Sequence, residues 1–376
     1  MRKYRILIYY RYPILPTRGG VERVSVILGE WLMSIGHQVY YLSDIFEGES
    51  PVFIHNNAGL DDDDNFSALE TFVNERKIDF ILNQSAFMPS CRRLFELRGS
   101  FKIISIFHHS LDGMFAHPPI PFVPHKYGWL YSRNGILENL FRWYFYIKYH
   151  KSLKFIVGHS DKVVVLSKYY IRETQFFSSK ADNIVSIGNP LTLPICNEKL
   201  EKENMIVFVG RLSWPKNPFL LLKIWCEISS QSNNWDLYIL GDGEEKRDLE
   251  KYVVEKKISN VHLEGNQDPI PYLKKAKILC MTSLYEGFPL VLYEAMNFGV
   301  VPVVFNTFQS VQEIITDGKD GYVVEPFKIA EYREKVMELM RNSTQWEVLS
   351  NNAQLKSRAN TIDAIGEIWL NLFDNL

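Results

Sequence analysis

This 376-residue chain is short of several things, and each shortage excludes something. It has four cysteines, Cys91, Cys196, Cys226 and Cys280, scattered with no Cys-x2-Cys pair. They read as reduced, mostly buried thiols of a cytosolic protein, not as a disulfide framework. No stretch approaches the roughly 18 uninterrupted apolar residues of a membrane span, so any membrane contact is expected to be peripheral. The start carries Arg2, Lys3 and Arg5, but the apolar run beside them is too short for a signal peptide. A formal net charge of −2 argues against general nucleic-acid binding. Gly-x-Gly-x-x-Gly, the dinucleotide fingerprint, is absent, which argues against a nicotinamide oxidoreductase. Outside the acidic run 61–64 there is no Asp-x-Asp metal motif. That run lacks the patterned spacing of oxygen ligands and reads as a solvated loop.

What is present is ordinary globular material, 46% hydrophobic and 23% charged, in a chain long enough for two domains. Short β-branched or aromatic runs fall at 4–10, 38–42, 79–82, 102–107 and 162–166, then at 205–209, 236–240, 260–264, 277–281 and 301–304. Amphipathic stretches such as 20–35, 66–76, 217–230 and 244–256 lie between them. Such a βαβ rhythm implies parallel sheets. It restarts near residue 205, after two prolines (Pro190 and Pro194) and the polar, charged stretch 197–204, which read as a linker. The expected division is one doubly wound domain over 1–190, a linker over 191–203, a second doubly wound domain over 204–361 and a final helix over 362–376. Ligands of open α/β sheets sit outside the carboxyl ends of the strands. Two such domains facing each other across a cleft would suit a ligand with two ends.

The most informative segment is 283–296, where Glu286 and Glu294 stand eight positions apart around a Gly287-Phe288-Pro289 step. Pro289 suits a first helical turn, because its missing N–H has no partner there in any case. A helix over 289–298 would aim free N–H groups and its positive dipole end at an anion in the loop. An amphipathic helix with an exposed acid at each end is the plain alternative. A second motif, from Gly210 to Pro218, follows an apolar strand and carries Arg211 and Lys216. A planar guanidinium fork and a compact ammonium can clamp a diphosphate; two surface cations near a turn are the other reading. Gly19 and Gly20 open the first long helix and would allow close backbone approach, though any βα turn can use them. His108 and His109 end a strand, Ser167 ends another, and Asn189 precedes Pro190. Gly241, Gly265 and Asn266 follow strands of the second half and suit either turn chemistry or ligand contact.

The frame around Glu286 and Glu294, with the Gly-Arg-Leu-x3-Lys-Asn frame at 210–217, resembles family-four retaining glycosyltransferases (group 1), strongest over 206–326. The most similar patterns are those of bacterial surface-polysaccharide enzymes. The resemblance implies an α/β GT-B architecture, two doubly wound Rossmann-like domains facing across a cleft, with the final helix crossing back to the first. It assigns Arg211, Lys216, Glu286 and His108 to the reaction, with His108 on the donor sugar and His109 open as an alternative. Gly19, Gly20, Gly265, Asn266, Gly287, Phe288, Pro289, Leu290, Val291 and Glu294 fall to donor binding, Glu286 toward the sugar and Glu294 toward the ribose. The implied donor is a nucleotide-diphosphate sugar, UDP favoured, and the acceptor a glycan or lipid-linked glycan. No metal and no separate cofactor are expected, because fixed cations take the charge of the leaving diphosphate. A sugar-nucleotide epimerase on the same scaffold and a non-catalytic nucleotide- or glycan-binding subunit are the alternatives.

Residues 121–180 carry ten cations against three anions in a protein of net charge −2. Aromatics and cations mix at 140–151, which suits an interfacial helix on an anionic membrane surface; a core helix with snorkelling lysines is the other reading. The expected location is cytoplasmic and peripheral on the inner face of the cell membrane.

Overall fold

The structure, a computed structural model, describes residues 2–45, 59–87, 89–116, 135–178, 182–230 and 234–376. Among them twelve strands form two six-stranded sheets, each parallel throughout. The first sheet contains β1 (Arg5–Tyr10), β2 (Gln38–Ser43), β3 (Phe80–Asn83), β4 (Lys102–Phe107), β5 (Lys162–Val165) and β6 (Ile184–Ser186), in the order β2-β1-β3-β4-β5-β6. The second contains β7 (Met205–Val209), β8 (Asp236–Leu240), β9 (Val261–Gly265), β10 (Ile278–Met281), β11 (Val301–Phe305) and β12 (Tyr322–Val324), in the order β12-β11-β10-β7-β8-β9. The inner strands of a parallel sheet are covered on both faces, so their sequences read as largely apolar runs. β3, β10 and β11 are buried at every position. The expected strands agree with these to within about one residue at each end, as boundary assignments commonly do. β6 and β12 are not foreseen, since three residues at a sheet edge leave too short an apolar run to register.

The acidic run 61–64 is not a plain solvated loop. It opens the helix Asp63–Glu75, where the Asp62 carboxylate caps the backbone N–H groups of Asp64 and Asn65 at 3.1 and 3.0 Å. Asp63 pairs with Arg93 at 2.8 Å. Acids at a helix start answer the exposed N–H groups and the positive dipole end.

The chain divides into two compact units, one of Met1–Asp112, Trp143–Thr192 and Ile362–Leu376, the other of Gly113–Arg142 and Leu193–Thr361. The final helix, Ile362–Asp374, packs within the first unit. There the Trp31 indole N–H donates to Asp363 at 2.7 Å, and Phe373 stacks on Phe80 with ring centroids 4.7 Å apart. Burying one such aromatic contributes roughly 1.5–3 kcal/mol. The second unit is built around Trp225, Phe305 and Tyr332, whose hydroxyl donates to the Val303 carbonyl at 2.6 Å.

Each sheet has one place where the chain reverses its direction of growth. In the first it leaves β1 for β2 and returns on the other side of β1 as β3; in the second it runs β7, β8, β9 and resumes beyond β7 as β10. Loops leaving the carboxyl ends of strands at such a point diverge and open a crevice, where open α/β sheets bind ligands.

Candidate active site

In the second unit, Gly210, Arg211 and Lys216 follow β7, while Ser283, Glu286 and Gly287 follow β10, the two strands flanking the reversal. The loop after β7 is held on both sides. Toward β8, the Leu212 N–H donates to the Asp242 carbonyl at 2.9 Å and the Glu245 N–H to the Leu212 carbonyl at 3.0 Å. That approach needs Gly241, since a Cβ there would lie 1.9 Å from the Gly210 carbonyl oxygen. Toward β10, the Leu284 N–H donates to the Pro215 carbonyl at 2.7 Å, and the Thr282 hydroxyl to the Asn217 carbonyl at 2.9 Å.

These ties bring Lys216 Nζ within 2.6 Å of Glu286 Oε1, which also accepts from the Ser283 hydroxyl at 2.7 Å. The Glu286 side chain is 11% exposed and that of Lys216 is 28% exposed, so solvent screens the pair little. Thr307 donates to the Ser283 carbonyl at 2.6 Å and Ser310 to the Gly287 carbonyl at 2.7 Å, which fixes the loop carrying Glu286. Arg211 is not part of this cluster. Its guanidinium is three-quarters exposed and faces Glu244 at 3.5 Å.

The helix after this loop is Leu290–Asn297, with Pro289 as its N-cap, one residue earlier in the capping order than a first-turn proline. Pro289 has no side chain able to cap its first N–H groups. Phe288 is buried and packs on Tyr293 with ring centroids 5.9 Å apart, while Leu290 and Val291 are half-buried. Glu294 is 3% exposed, which removes the reading of an amphipathic helix with a solvated acid at each end. At the end of β9, Gly265 sits at φ +72°, its carbonyl accepting from the Gly241 N–H at 2.7 Å; Asn266 beside it is exposed.

In the first unit, Gly19 is the N-cap of the helix Gly20–Ser34 in extended backbone that any residue adopts. A Cβ on it would meet Glu22 Oε2 at 2.8 Å, so its smallness makes room for that buried side chain. His108 follows β4, with Nε2 2.6 Å from Gln84 Oε1. Burial, then the neighbouring His109, push its imidazole down to about 3, so the ring is neutral at physiological pH. Together with Gln84, Asn189 and Trp369 it lines a cavity of about 20 Å³. His109 is exposed and Ser167 fully buried.

Two residues escape sequence reasoning. Gln84 follows β3 as an unremarkable amide, and only the sheet order sets it beside His108. Glu173 accepts from the N–H groups of Leu111 and Asp112, both at 2.9 Å, and from the Ser110 hydroxyl at 3.2 Å, anchoring the segment just past His109. Burial pushes its carboxyl up to about 7 despite those hydrogen bonds.

Two parallel six-stranded units of this kind define the GT-B architecture of glycosyltransferases. Residues 195–356 match the family model of glycosyl transferases group 1, and the resemblance read from the sequence to that group is borne out. The chain is 27% identical over 372 residues to an uncharacterized glycosyltransferase of Haemophilus influenzae, covering 94% of this chain and 96% of that one. It is 36% identical over 190 residues to the amylovoran biosynthesis glycosyltransferase AmsD of Erwinia amylovora, covering 46% of this chain and 50% of that one. Over 182 residues it is 32% identical to a Campylobacter jejuni α-1,4-N-acetyl-D-galactosaminyltransferase acting on an undecaprenol-diphosphate-linked glycan, covering 47% and 49%. The chain thus spans nearly all of the first relative and about half the length of the other two. Among solved structures, Anabaena HepE in complex with UDP and glucose superposes with a TM-score of 0.69 at 14% identity, over 99% of this chain and 100% of that one. At that identity the likeness speaks for the fold alone. Residues 195–356 thus carry a glycosyl transferases group 1 domain, and an epimerase on the same scaffold is not favoured.

Proposed function

We propose that the protein is a retaining glycosyltransferase moving a hexose or N-acetylhexosamine from a nucleotide-diphosphate sugar, UDP favoured, to a glycan or lipid-linked acceptor in bacterial surface-polysaccharide synthesis. The observation that carries this reading is the 2.6 Å Lys216–Glu286 pair at the reversal point of the second sheet, beside the start of the helix Leu290–Asn297. The anomeric C–O bond to the diphosphate breaks, and negative charge builds on the departing oxygens while positive charge builds on the anomeric carbon. Lys216 and the backbone N–H groups just after Pro289 hold the diphosphate and stabilise its charge, joined by the exposed Arg211 side chain when it leaves Glu244 for the ligand. Glu286 accepts hydrogen bonds from hydroxyls of the donor sugar, and Glu294 accepts them from the ribose. His108, a neutral ring, is assigned to the donor sugar by family resemblance.

The acceptor oxygen bonds to the anomeric carbon on the face the diphosphate leaves, and the acceptor proton passes to a leaving phosphate oxygen. Configuration is thereby retained. Support comes from the α-linkage in the Campylobacter relative's name and the UDP bound by HepE. No metal enters this scheme, because side-chain cations carry the charge. The lipid-linked acceptor of that relative also supports a peripheral place on the cytoplasmic membrane face. Among the described residues no helix is long and apolar enough to cross a membrane.

Thermal-shift measurements over UDP- and GDP-sugars test the donor, since a ligand binding only the folded state raises stability with its excess over Kd. A shift by UDP-sugars in wild type, reduced in Glu294→Ala, is expected; no shift by any nucleotide would overturn the reading. NMR of the product linkage tests retention, and a β-linked product from an α-configured donor would sink it.

A further inference from the structure

The helix Gly135–His159 presents an unusual surface from residue 143 onward. Its inner side is fixed in the first unit, with Leu153, Ile156 and Val157 all at most 2% exposed. On the other side Trp143 is 65%, Tyr144 53% and Ile147 54% exposed, large apolar side chains of the kind normally covered. Lys148, Lys151 and Lys154 are exposed as well. At 100° per residue these six positions fall within an arc of roughly 140°, so they form a single stripe. Its apolar members lie at the N-terminal end and its cations on the order of 10 Å farther along the axis. No acid occurs between residues 139 and 160. Beside the stripe, Phe176 is 66% exposed and rests edge-on against Tyr146, ring centroids 5.2 Å apart, which widens the apolar patch.

Charge decides what fits this surface. A second copy of the chain, facing the stripe with its own, would bring the lysines into a low-dielectric contact without acids to answer them, at a desolvation cost. An anionic bilayer answers both halves. Trp and Tyr favour the headgroup boundary, apolar side chains enter the acyl edge, and lysine stems lie along it while their ammonium groups stay among lipid phosphates. We propose that the stripe of Trp143, Tyr144, Ile147, Lys148, Lys151 and Lys154 docks the protein on an anionic lipid bilayer. The apolar trio enters the headgroup–acyl boundary and the lysine trio reads the surface charge. This rests on the peripheral membrane reading given above and names the face responsible.

Flotation of the full chain with phosphatidylcholine vesicles, with and without phosphatidylglycerol, tests both levels. Wild type is expected to float with the anionic vesicles only. The triple variant Lys148→Gln, Lys151→Gln, Lys154→Gln should lose on the order of 100-fold in partitioning, given about 1 kcal/mol for each cation near the surface. Brominated lipids should quench wild-type fluorescence more than that of Trp143→Phe. The triple variant Trp143→Ser, Tyr144→Ser, Ile147→Ser should bind weakly at any salt concentration. Both triple variants should keep the nucleotide-sugar thermal shift, which shows them folded. If wild type floats with anionic vesicles and both variants float equally well, the stripe is wrong while the membrane reading stands. If wild type floats with neither, the membrane reading fails and the stripe with it. A lipid-free dimer in sedimentation that the serine variant converts to monomer would make the face a self-association surface and overturn the proposal.

Discussion

Lys216 Nζ and Glu286 Oε1 lie 2.6 Å apart although 70 positions separate them in the chain. The pair joins the loops of two adjacent parallel strands, so it braces the site as well as charging it. Removing either partner leaves the other without its counter-charge in a place largely covered from water, which costs more than the pair contributes. Lys216→Met and Glu286→Gln should each cost about 1–3 kcal/mol in urea unfolding, and the double variant clearly less than the sum. Each single variant should also lower kcat/KM by roughly 100- to 1,000-fold, if the groups serve the leaving diphosphate and the donor sugar. Strictly additive stabilities would show that the contact carries no coupling.

Glu294 is assigned to the ribose from inside a helix, where it is nearly covered. A charge-assisted hydrogen bond contributes about 1.5–3 kcal/mol, so Glu294→Ala should weaken UDP binding roughly 10- to 100-fold. Isothermal titration with UDP alone, without the sugar, isolates this contact. An unchanged UDP affinity would remove Glu294 from the nucleotide site.

Glu173 gives a pH signature. Burial holds its native carboxyl at about 7, above the ordinary 4.5, so the folded state favours the protonated form. Its stabilising contribution is therefore complete below pH 4.5 and is lost as pH rises through about 7. Glu245, also pushed up to about 7 by burial, titrates in the same window. The informative quantity is thus the difference between wild type and Glu173→Gln. The variant should gain on the order of 1–3 kcal/mol on wild type between acid and neutral pH, measured by urea unfolding. Parallel pH profiles would contradict the assignment.

Gly366 faces Trp31 so closely that a Cβ would lie 2.5 Å from the indole ring. Gly366→Val should overpack this contact, displace the indole from Asp363 and cost about 1–3 kcal/mol or more. Differential scanning calorimetry should show a lowered Tm. An unchanged Tm would mean that the final helix is held by its other contacts alone.

Much of the architecture is legible from local pattern. β4, β7 and β8 stand at the expected residues because strands covered on both faces read as largely apolar runs, broken here only by Lys102, Ser105 and Asp236. The short edge strands β6 and β12 leave no such trace. The run 61–64 misleads because acids suit a solvated loop and a helix start equally, and only the bonds from Asp62 to the N–H groups of Asp64 and Asn65 separate the two. For the site, Lys216 and Glu286 are legible as residues and not as a pair. Arg211, named beside Lys216, turns to Glu244 instead. Gln84 and Glu173 carry no motif and become visible only through their partners.

By itself the sequence determined the element types, the restart of the βαβ pattern and the residue kinds available for an anionic ligand, all of which depend on neighbours along the chain. The tertiary structure decided which of those residues meet. Parallel strands join through distant crossovers, so strand order, absent from local composition, puts Lys216 on Glu286 and Gln84 on His108. Burial is settled the same way, and Glu294 changes from one acid on a helix to a covered carboxylate because of what packs around it.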